Sequence, residues 1–136
     1  MIQQKEITLP SFSKGFYLIT RYILQELGSL PETGLVNIHI KHTSAALSLN
    51  ENADPSVRLD LENFMNTLIP ENDDSYMHSL EGSDDMPAHI KSSLFGASLN
   101  IPITNGRLNL GIWQGIYLGE FRKKGEARSI VITVLS

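Results

Sequence analysis

The fifteen residues 35–49 carry the pattern that most restricts what this chain can fold into. Val36, Ile38 and Ile40 alternate with Asn37, His39 and Lys41, the period of two expected of a strand with one covered face. The alternation puts His42 on the apolar side. Beyond Thr43 the phase reverses, and Ala45, Leu47 and Leu49 carry the apolar character. A period-two pattern that slips by one residue predicts a bulge or bend near 42–44, a device that often re-aims side chains beside functional sites.

Other segments fill in around this one. Residues 3–9 alternate weakly and stop at Pro10, which predicts an edge strand. Phe16, Ile19, Ile23 and Leu27, preceded by Ser11 and Ser13 and closed by Gly28, predict an amphipathic helix of about a dozen residues. Asp54 and Pro55 read as the N-cap and first residue of a second helix, ended by Pro70, with Val57, Leu61, Phe64, Met65 and Leu68 as its buried stripe. A third helix is expected from about Met86 to Phe95, capped by Asp85 or a neighbour and stopped by Gly96. Residues 97–136 read as strands. Thr104-Asn105-Gly106-Arg107 is a two-residue hairpin signal, Lys123-Lys124-Gly125-Glu126 a second turn, and 130–135 a central strand. The pattern predicts one α+β domain, residues 1–136: an antiparallel β-sandwich-like sheet flanked by about three helices.

Composition narrows the class of function. With 41% hydrophobic residues the chain can build a single core. A net charge of −4 opposes general nucleic-acid binding, which needs a basic footprint. It leaves room for a small basic pocket for one phosphorylated ligand. There are no cysteines, hence no disulfide framework and no thiolate zinc site. The N-terminus lacks the charged and apolar regions of a signal peptide, and no apolar run reaches the ~18–20 residues of a membrane span. The expectation is a cytoplasmic protein without membrane attachment.

Residues 76–90 gather His78, Glu81, Asp84, Asp85 and His89 beside a helix start, and include two of the four histidines. Metal binding, acid–base chemistry and phosphate handling all draw on such residues. His78 and His89, joined by His42 from the strand, would make a three-histidine site with an open coordination position. Two exposed histidines in a polar loop, and a core histidine at 42, are the plain alternatives. One of Asp84 and Asp85 suffices as a cap; the other, with Glu81, is left to hold Mg²⁺ or to orient an imidazole. The free N–H groups at that helix end suit a phosphate. Lys91 and Arg107 are candidate phosphate partners, and Asn50-Glu51-Asn52 closes the long strand with polar side chains. Trp113, between Gly111 and Gly115, reads as core or subunit-interface packing.

Taken together, His42-Thr-Ser-Ala-Ala, Asn50-Glu-Asn-Ala-Asp-Pro55, the segment from Tyr76 to Lys91, Gly106-Arg-Leu and Trp113-Gln-Gly-Ile-Tyr117 resemble the YjbQ-like family, also called the secondary thiamine-phosphate synthase family. The resemblance runs along essentially the whole chain. It implies a compact domain with a sandwich-like core, a homotrimer, and a polar pocket near the subunit boundaries. His42, His78, Glu81, Asp84, Asp85 and His89 map onto the family's site, with Asn50, Glu51 and Arg107 close by. The implied activity is a weak thiamine-phosphate synthase, joining a pyrimidine pyrophosphate to a thiazole phosphate with release of pyrophosphate. Family members often show Leu-Cys-Glu-His-Arg where this chain has Leu118-Gly119-Glu120-Phe121-Arg122, and Gly-Thr-Trp-Gln where it has Gly111-Ile112-Trp113-Gln114.

The expected assignment is therefore catalytic His42, Glu81, Asp85 and His89, a phosphate-holding set of Asn50, Lys91 and Arg107, and a divalent ion, Mg²⁺ or Zn²⁺, on His42, His78, His89 and Asp84. The expected partner is a small phosphorylated substrate. A trimeric metal- or small-ligand-binding protein without turnover is the alternative.

Overall fold

The phase slip at 42–44 marks a change of sheet. The computed structural model describes residues 1–136. Its elements run β1 (Ile2–Thr8), β2 (Ser13–Leu18), α1 (Thr20–Leu27), β3 (Thr33–Ile40), β4 (Ala45–Glu51), α2 (Pro55–Leu68), α3 (Asp85–Phe95), β5 (Ser98–Thr104), β6 (Arg107–Leu108), β7 (Gln114–Lys124) and β8 (Ser129–Leu135). One antiparallel sheet has the order β1-β8-β3-β5-β6 and the other β2-β7-β4. The single strand expected over 35–49 is thus two strands in two sheets, joined by a corner. Val36, Ile38 and Ile40 reach the core from one sheet, and Ala45 and Leu47 reach the same core from the other. A continuous strand cannot aim both phases at one core; a corner can.

The main core fills the space between the sheets, with Ile101, Ile103, Ile130, Ile132, Ile116 and Leu118 among its members. Each such side chain, taken out of water, contributes roughly 1.5–3 kcal/mol. The three-stranded sheet has a second covered face, where Phe16, Ala46, Tyr117 and Phe121 pack with Ala88 of α3. The molecule is therefore layered as sheet, sheet and the helices α2 and α3, while α1 puts Ile23 into the core between the sheets. Ser92 ties α3 down by donating its hydroxyl to the Ala45 carbonyl at 2.8 Å. No helix is long and apolar enough to cross a membrane.

Two local expectations change. The helix expected from Phe16 onward starts only at Thr20, because Phe16 and Leu18 belong to β2. Phe16 packs in the helix-facing layer whereas Ile19 and Ile23 lie in the main core, so their helical spacing joined residues from two layers. Along α2 only Met65 is buried; Phe64 and Leu68 are 64% and 58% exposed. The expected stripe is covered in part: Met65 is buried, Val57 and Leu61 are half-buried with Leu61 packed on the layer under the helices, and only Phe64 and Leu68 are left open. Elsewhere expectation and structure agree: Asp54 caps α2 by accepting the Ser56 N–H at 2.9 Å, and Asn105 and Gly106 both take the positive φ of a type I′ hairpin turn.

Candidate metal and acid–base centre

The first turn of α3 sets the site. Asp85 and His89 are four residues apart and share one helix face. The Asp85 carboxylate is almost completely buried, at 2% exposure, where an unpaired charge would be costly. Its partners come from three directions. His89 Nε2 lies 3.0 Å from Oδ2, and His78 Nε2, carried on the loop between α2 and α3, lies 2.6 Å from the same oxygen. The Arg122 guanidinium, at the end of β7, donates to Oδ1 at 2.5 Å. The donor atoms of His78, Asp85 and His89 all lie within 4.8 Å of one another.

Hydrogen bonding constrains the proton on His89. Its Nδ1 is 2.8 Å from the Thr43 carbonyl, which can only accept, so Nδ1 carries the hydrogen. In the neutral ring Nε2 then holds a bare lone pair aimed at a carboxylate oxygen. Two acceptors facing each other need a proton or a cation between them. A backbone carbonyl on the far nitrogen is also what usually fixes a metal-bound histidine.

Burial opposes ionisation of Asp85, but the His78 hydrogen bond and the His89 and Arg122 charges outweigh it and hold the carboxyl below its usual range. Asp84 is likewise held low: burial works against this, while the Lys123 N–H at 2.9 Å and Arg122 Nε at 3.0 Å prevail. Neither acid caps α3 through its side chain; Asp84 occupies the N-cap position without such a bond. Arg122 also donates to the Glu81 carbonyl at 3.0 Å, so one guanidinium gathers the loop, the helix start and the strand end.

Beside His78 lies an open polar cavity of about 360 Å³, lined by Asn72, Asp73, Asp74, Tyr76, His78, Ser79, Gly82 and Ser83. His78 is partly exposed, with 44% of its side chain accessible, and can be reached from solvent.

Several residues expected at the site stand apart from it. His42 does not join the donor group. Its Nε2 accepts the Ser129 N–H at 2.8 Å, and its Nδ1 faces Glu126 at 3.6 Å, turned to a different partner from the donor group. Asp84 is engaged by Arg122 and Lys123. The Glu81 side chain is exposed and makes no hydrogen bond to the centre; its backbone serves instead. Lys91 is buried at 2% exposure, donates to Asn66 Oδ1 at 2.8 Å and lies over the Phe121 ring. Burial, then the Lys14 charge, push its ammonium down to about 8. Arg107 pairs with Thr104 at the end of β5 away from the corner. Seven steps of β3 separate its row from Ile40, roughly 23 Å at ~3.3 Å per residue. Asn50 lies near the outer end of β4 and accepts the Glu51 N–H, while Glu51 accepts the N–H groups of Ala53 and Asp54. Asn50, Lys91 and Arg107 do not share a site within one chain.

Arg122 was not among the expected residues. Its place at the end of Leu118-Gly119-Glu120-Phe121-Arg122, a segment that the family resemblance covers, was the available signal, and its three acceptors reveal its role. Gly119 and Phe121, where family members often have cysteine and histidine, face the layer under α3 rather than the imidazoles. A Cβ on Gly119 would sit 2.6 Å from the Phe121 ring, so the glycine makes room for the phenylalanine.

Comparison with known proteins gives the family. The family described as UPF0047 protein YjbQ-like matches residues 5–136. UPF0047 protein YjbQ of Escherichia coli O157:H7 is 48% identical over 136 residues, and the Salmonella typhimurium protein of that name 51%, each covering 98% of both chains. The crystal structure of a conserved hypothetical protein from Thermus thermophilus superposes with a TM-score of 0.82 at 35% identity, covering 94% of this chain and 97% of that one. A protein of unknown function from Sulfolobus solfataricus has a TM-score of 0.86 at 23% identity, a likeness of fold that covers 100% of this chain and 98% of that one. The chain belongs to the YjbQ-like UPF0047 family.

Proposed function

We propose that this member of the YjbQ-like family is a metal-dependent enzyme centred on His78, Asp85 and His89, acting as the transferase its family resemblance implies. The reaction joins a pyrimidine pyrophosphate to a thiazole phosphate and releases pyrophosphate. One observation carries the metal part of this reading: with Nδ1 committed to Thr43, His89 Nε2 faces the Asp85 oxygen that His78 also faces, a junction that a proton or a metal ion must bridge. Donors around a tetrahedral ion stand roughly 3.4 Å apart for bonds of ~2.1 Å. The Asp85 oxygen stands 2.6 and 3.0 Å from the two imidazole nitrogens and the three donors lie within 4.8 Å of one another, so shifts of about 1 Å bring the set to that spacing. Two imidazoles and one carboxylate suit a zinc-type ion better than Mg²⁺, which prefers an all-oxygen shell. Three protein donors leave a coordination position open.

Such an ion supplies electrostatic stabilisation of charge developing on the leaving group. The chain's own residues do the rest. His78, accessible from the cavity, can pass a proton to or from a bound ligand. Asp85 and Arg122 hold both imidazoles in place, and Tyr76, Ser79 and Ser83 line the cavity with hydroxyls. Within this reading His42 acts at a distance, and Glu81 contributes its backbone.

A second reading, metal or small-ligand binding without turnover, is favoured by the state of the cations. Arg122 is committed to three acceptors, Lys123 to Glu71, and Lys91 to the interior. A pyrophosphate therefore meets no uncommitted basic side chain at the centre of one chain. The homotrimer is part of the proposal, supported by the exposure of Ile112 (81%) and Trp113 (60%), and a neighbouring subunit is the available source of the missing positive charge. Cytoplasmic residence, for which the lack of cysteine is the support, completes it.

Metal analysis of purified protein, with synthase assays before and after chelation, tests the readings. One tightly held ion per chain and activity lost with chelator and with Asp85→Asn support the enzyme. One ion and no product under any condition supports binding alone. Full activity in metal-free protein and in Asp85→Asn would overturn the proposed centre.

A further inference from the structure

The corner between β3 and β4 treats its residues 42, 43 and 44 differently. The ring of His42 receives the backbone N–H of Ser129 at 2.8 Å. Ser44 receives the Arg128 guanidinium on its hydroxyl at 3.0 Å and on its carbonyl at 3.3 Å. Thr43, between them, turns its carbonyl to His89 Nδ1. Adjacent residues of one segment, 128 and 129, thus grip the corner on both sides of the one peptide group that touches the centre. Arg128 is fixed in turn by Glu120, through Nε at 2.8 Å and a terminal nitrogen at 2.5 Å, and the two are 1% and 0% exposed. The other Glu120 contact is the backbone N–H of Arg122, the residue that grips Asp84 and Asp85.

We infer that His42, Arg128 and Glu120 form a clamp that positions His89, setting its tautomer and aim through the Thr43 carbonyl. Residues 41–44 belong to no strand or helix, and the backbone bonds at the corner, Lys41 N–H to the Ser129 carbonyl at 3.1 Å and Phe121 N–H to the Ser44 carbonyl at 3.3 Å, flank the Thr43 peptide without engaging its carbonyl. An imidazole N–H is directed by a carbonyl only when the carbonyl is itself immobile. A buried arginine–glutamate pair is a poor source of stability, since apolar residues of the same volume would serve as well. A need for directed hydrogen bonds accounts for it. The clamp rests on the reading of His89 as a member of the working centre, yet none of its three residues touches His78, Asp85 or the ring of His89 in a hydrogen bond.

The test uses the full chain with His42→Ala and His42→Gln, because His42 is more exposed than the Arg128–Glu120 pair and its replacement leaves that pair intact. The Gln amide oxygen can accept the Ser129 N–H in place of Nε2. Two readouts are taken: the His89 tautomer by ¹⁵N NMR in metal-free protein at a pH high enough for the ring to be neutral, and Zn²⁺ affinity by calorimetry. The expected result for His42→Ala is a mixture of His89 tautomers and a zinc affinity lower by about 10–100-fold. His42→Gln returns a single Nδ1–H tautomer and most of the affinity. An unchanged His89 tautomer and affinity in His42→Ala would overturn the clamp. So would a His42→Gln protein as impaired as His42→Ala, which would make the ring itself a ligand or proton carrier. Should the wild-type protein take up no zinc, the metal reading falls, and the His89 tautomer in the two variants alone decides the clamp.

Discussion

His89 Nε2 and Asp85 Oδ2 face each other at 3.0 Å although the opposite ring nitrogen has already committed its hydrogen to a peptide carbonyl. A centre built this way responds to an ion in a defined manner. Zn²⁺ added to metal-free protein is expected to raise the thermal midpoint, because the ion binds the folded donor set and not the unfolded chain. Asp85→Asn keeps the side-chain shape but removes the shared charge, and is expected to abolish most of this shift in a calorimetric scan. An identical zinc-dependent shift in wild type and variant would point to another site.

The buried Arg128–Glu120 pair gives a stability test independent of any ion. Removing one partner leaves the other charged in the core, so Arg128→Met alone is expected to cost about 3–5 kcal/mol in urea unfolding. The double variant Arg128→Met, Glu120→Gln is expected to recover a large part of that loss. Equal losses in single and double variants would mean that the pair is not coupled.

Two titrations are separable by pH. Burial, then the Arg128 charge, hold His42 below its ordinary 6.5, against the pull of Glu126 and Glu120. Its contribution is complete above the unfolded value and is lost as pH falls through the folded one, so stability should decline on acidification below about 6.5. His42→Gln should flatten that part of the profile, measured by urea midpoints. Lys91 acts at the other end. Its folded value of about 8 lies below the ordinary 10.5, so the native state bears the cost of the buried ammonium below 8 and is relieved as pH rises toward 10.5. The relief amounts to at most about 3 kcal/mol. Lys91→Met should remove that rise, and a rise that persists in the variant would assign it elsewhere.

How far the sequence foretells this molecule depends on the residue. Val36, Ile38, Ile40, Ala45 and Leu47 announce their faces because a strand has only two, and their slip at 42–44 marks the corner. Whether that slip is a bulge or a passage between sheets depends on which strands β3 and β4 pair with, information carried by distant residues. The α2 stripe is legible as apolar, but not which part of it stays open, since Phe64 and Leu68 look the same as Leu61 and Met65 whether their partner is this chain or another. At the site, the four-residue spacing of Asp85 and His89 is visible in one dimension. Arg122 is not, because its partners lie 37 to 41 residues away. For His42 the pattern leaves both a ligand beside His78 and His89 and a hydrogen-bonded core histidine open; the Ser129 N–H that occupies its Nε2 comes from a strand 87 residues on.

Trp113 is the only tryptophan in the chain and reports on assembly. At 60% exposure in one chain its fluorescence should be that of a solvated indole. In the proposed homotrimer it is expected to emit at shorter wavelength and to shift red on dilution, in step with the trimer-to-monomer change seen by sedimentation. Trp113→Ser should weaken the assembly by roughly 2 kcal/mol or more per contact. An emission unaffected by dilution through the dissociation range would place the contact on another face.

The most direct measurement is anomalous diffraction at the zinc edge from a crystal of the protein grown with Zn²⁺. One dominant peak is expected about 2.0–2.2 Å from His78 Nε2, His89 Nε2 and Asp85 Oδ2, with His42 still bonded to Ser129. A dominant peak bound through His42, or no peak between His78 and His89 at saturating zinc, would contradict it.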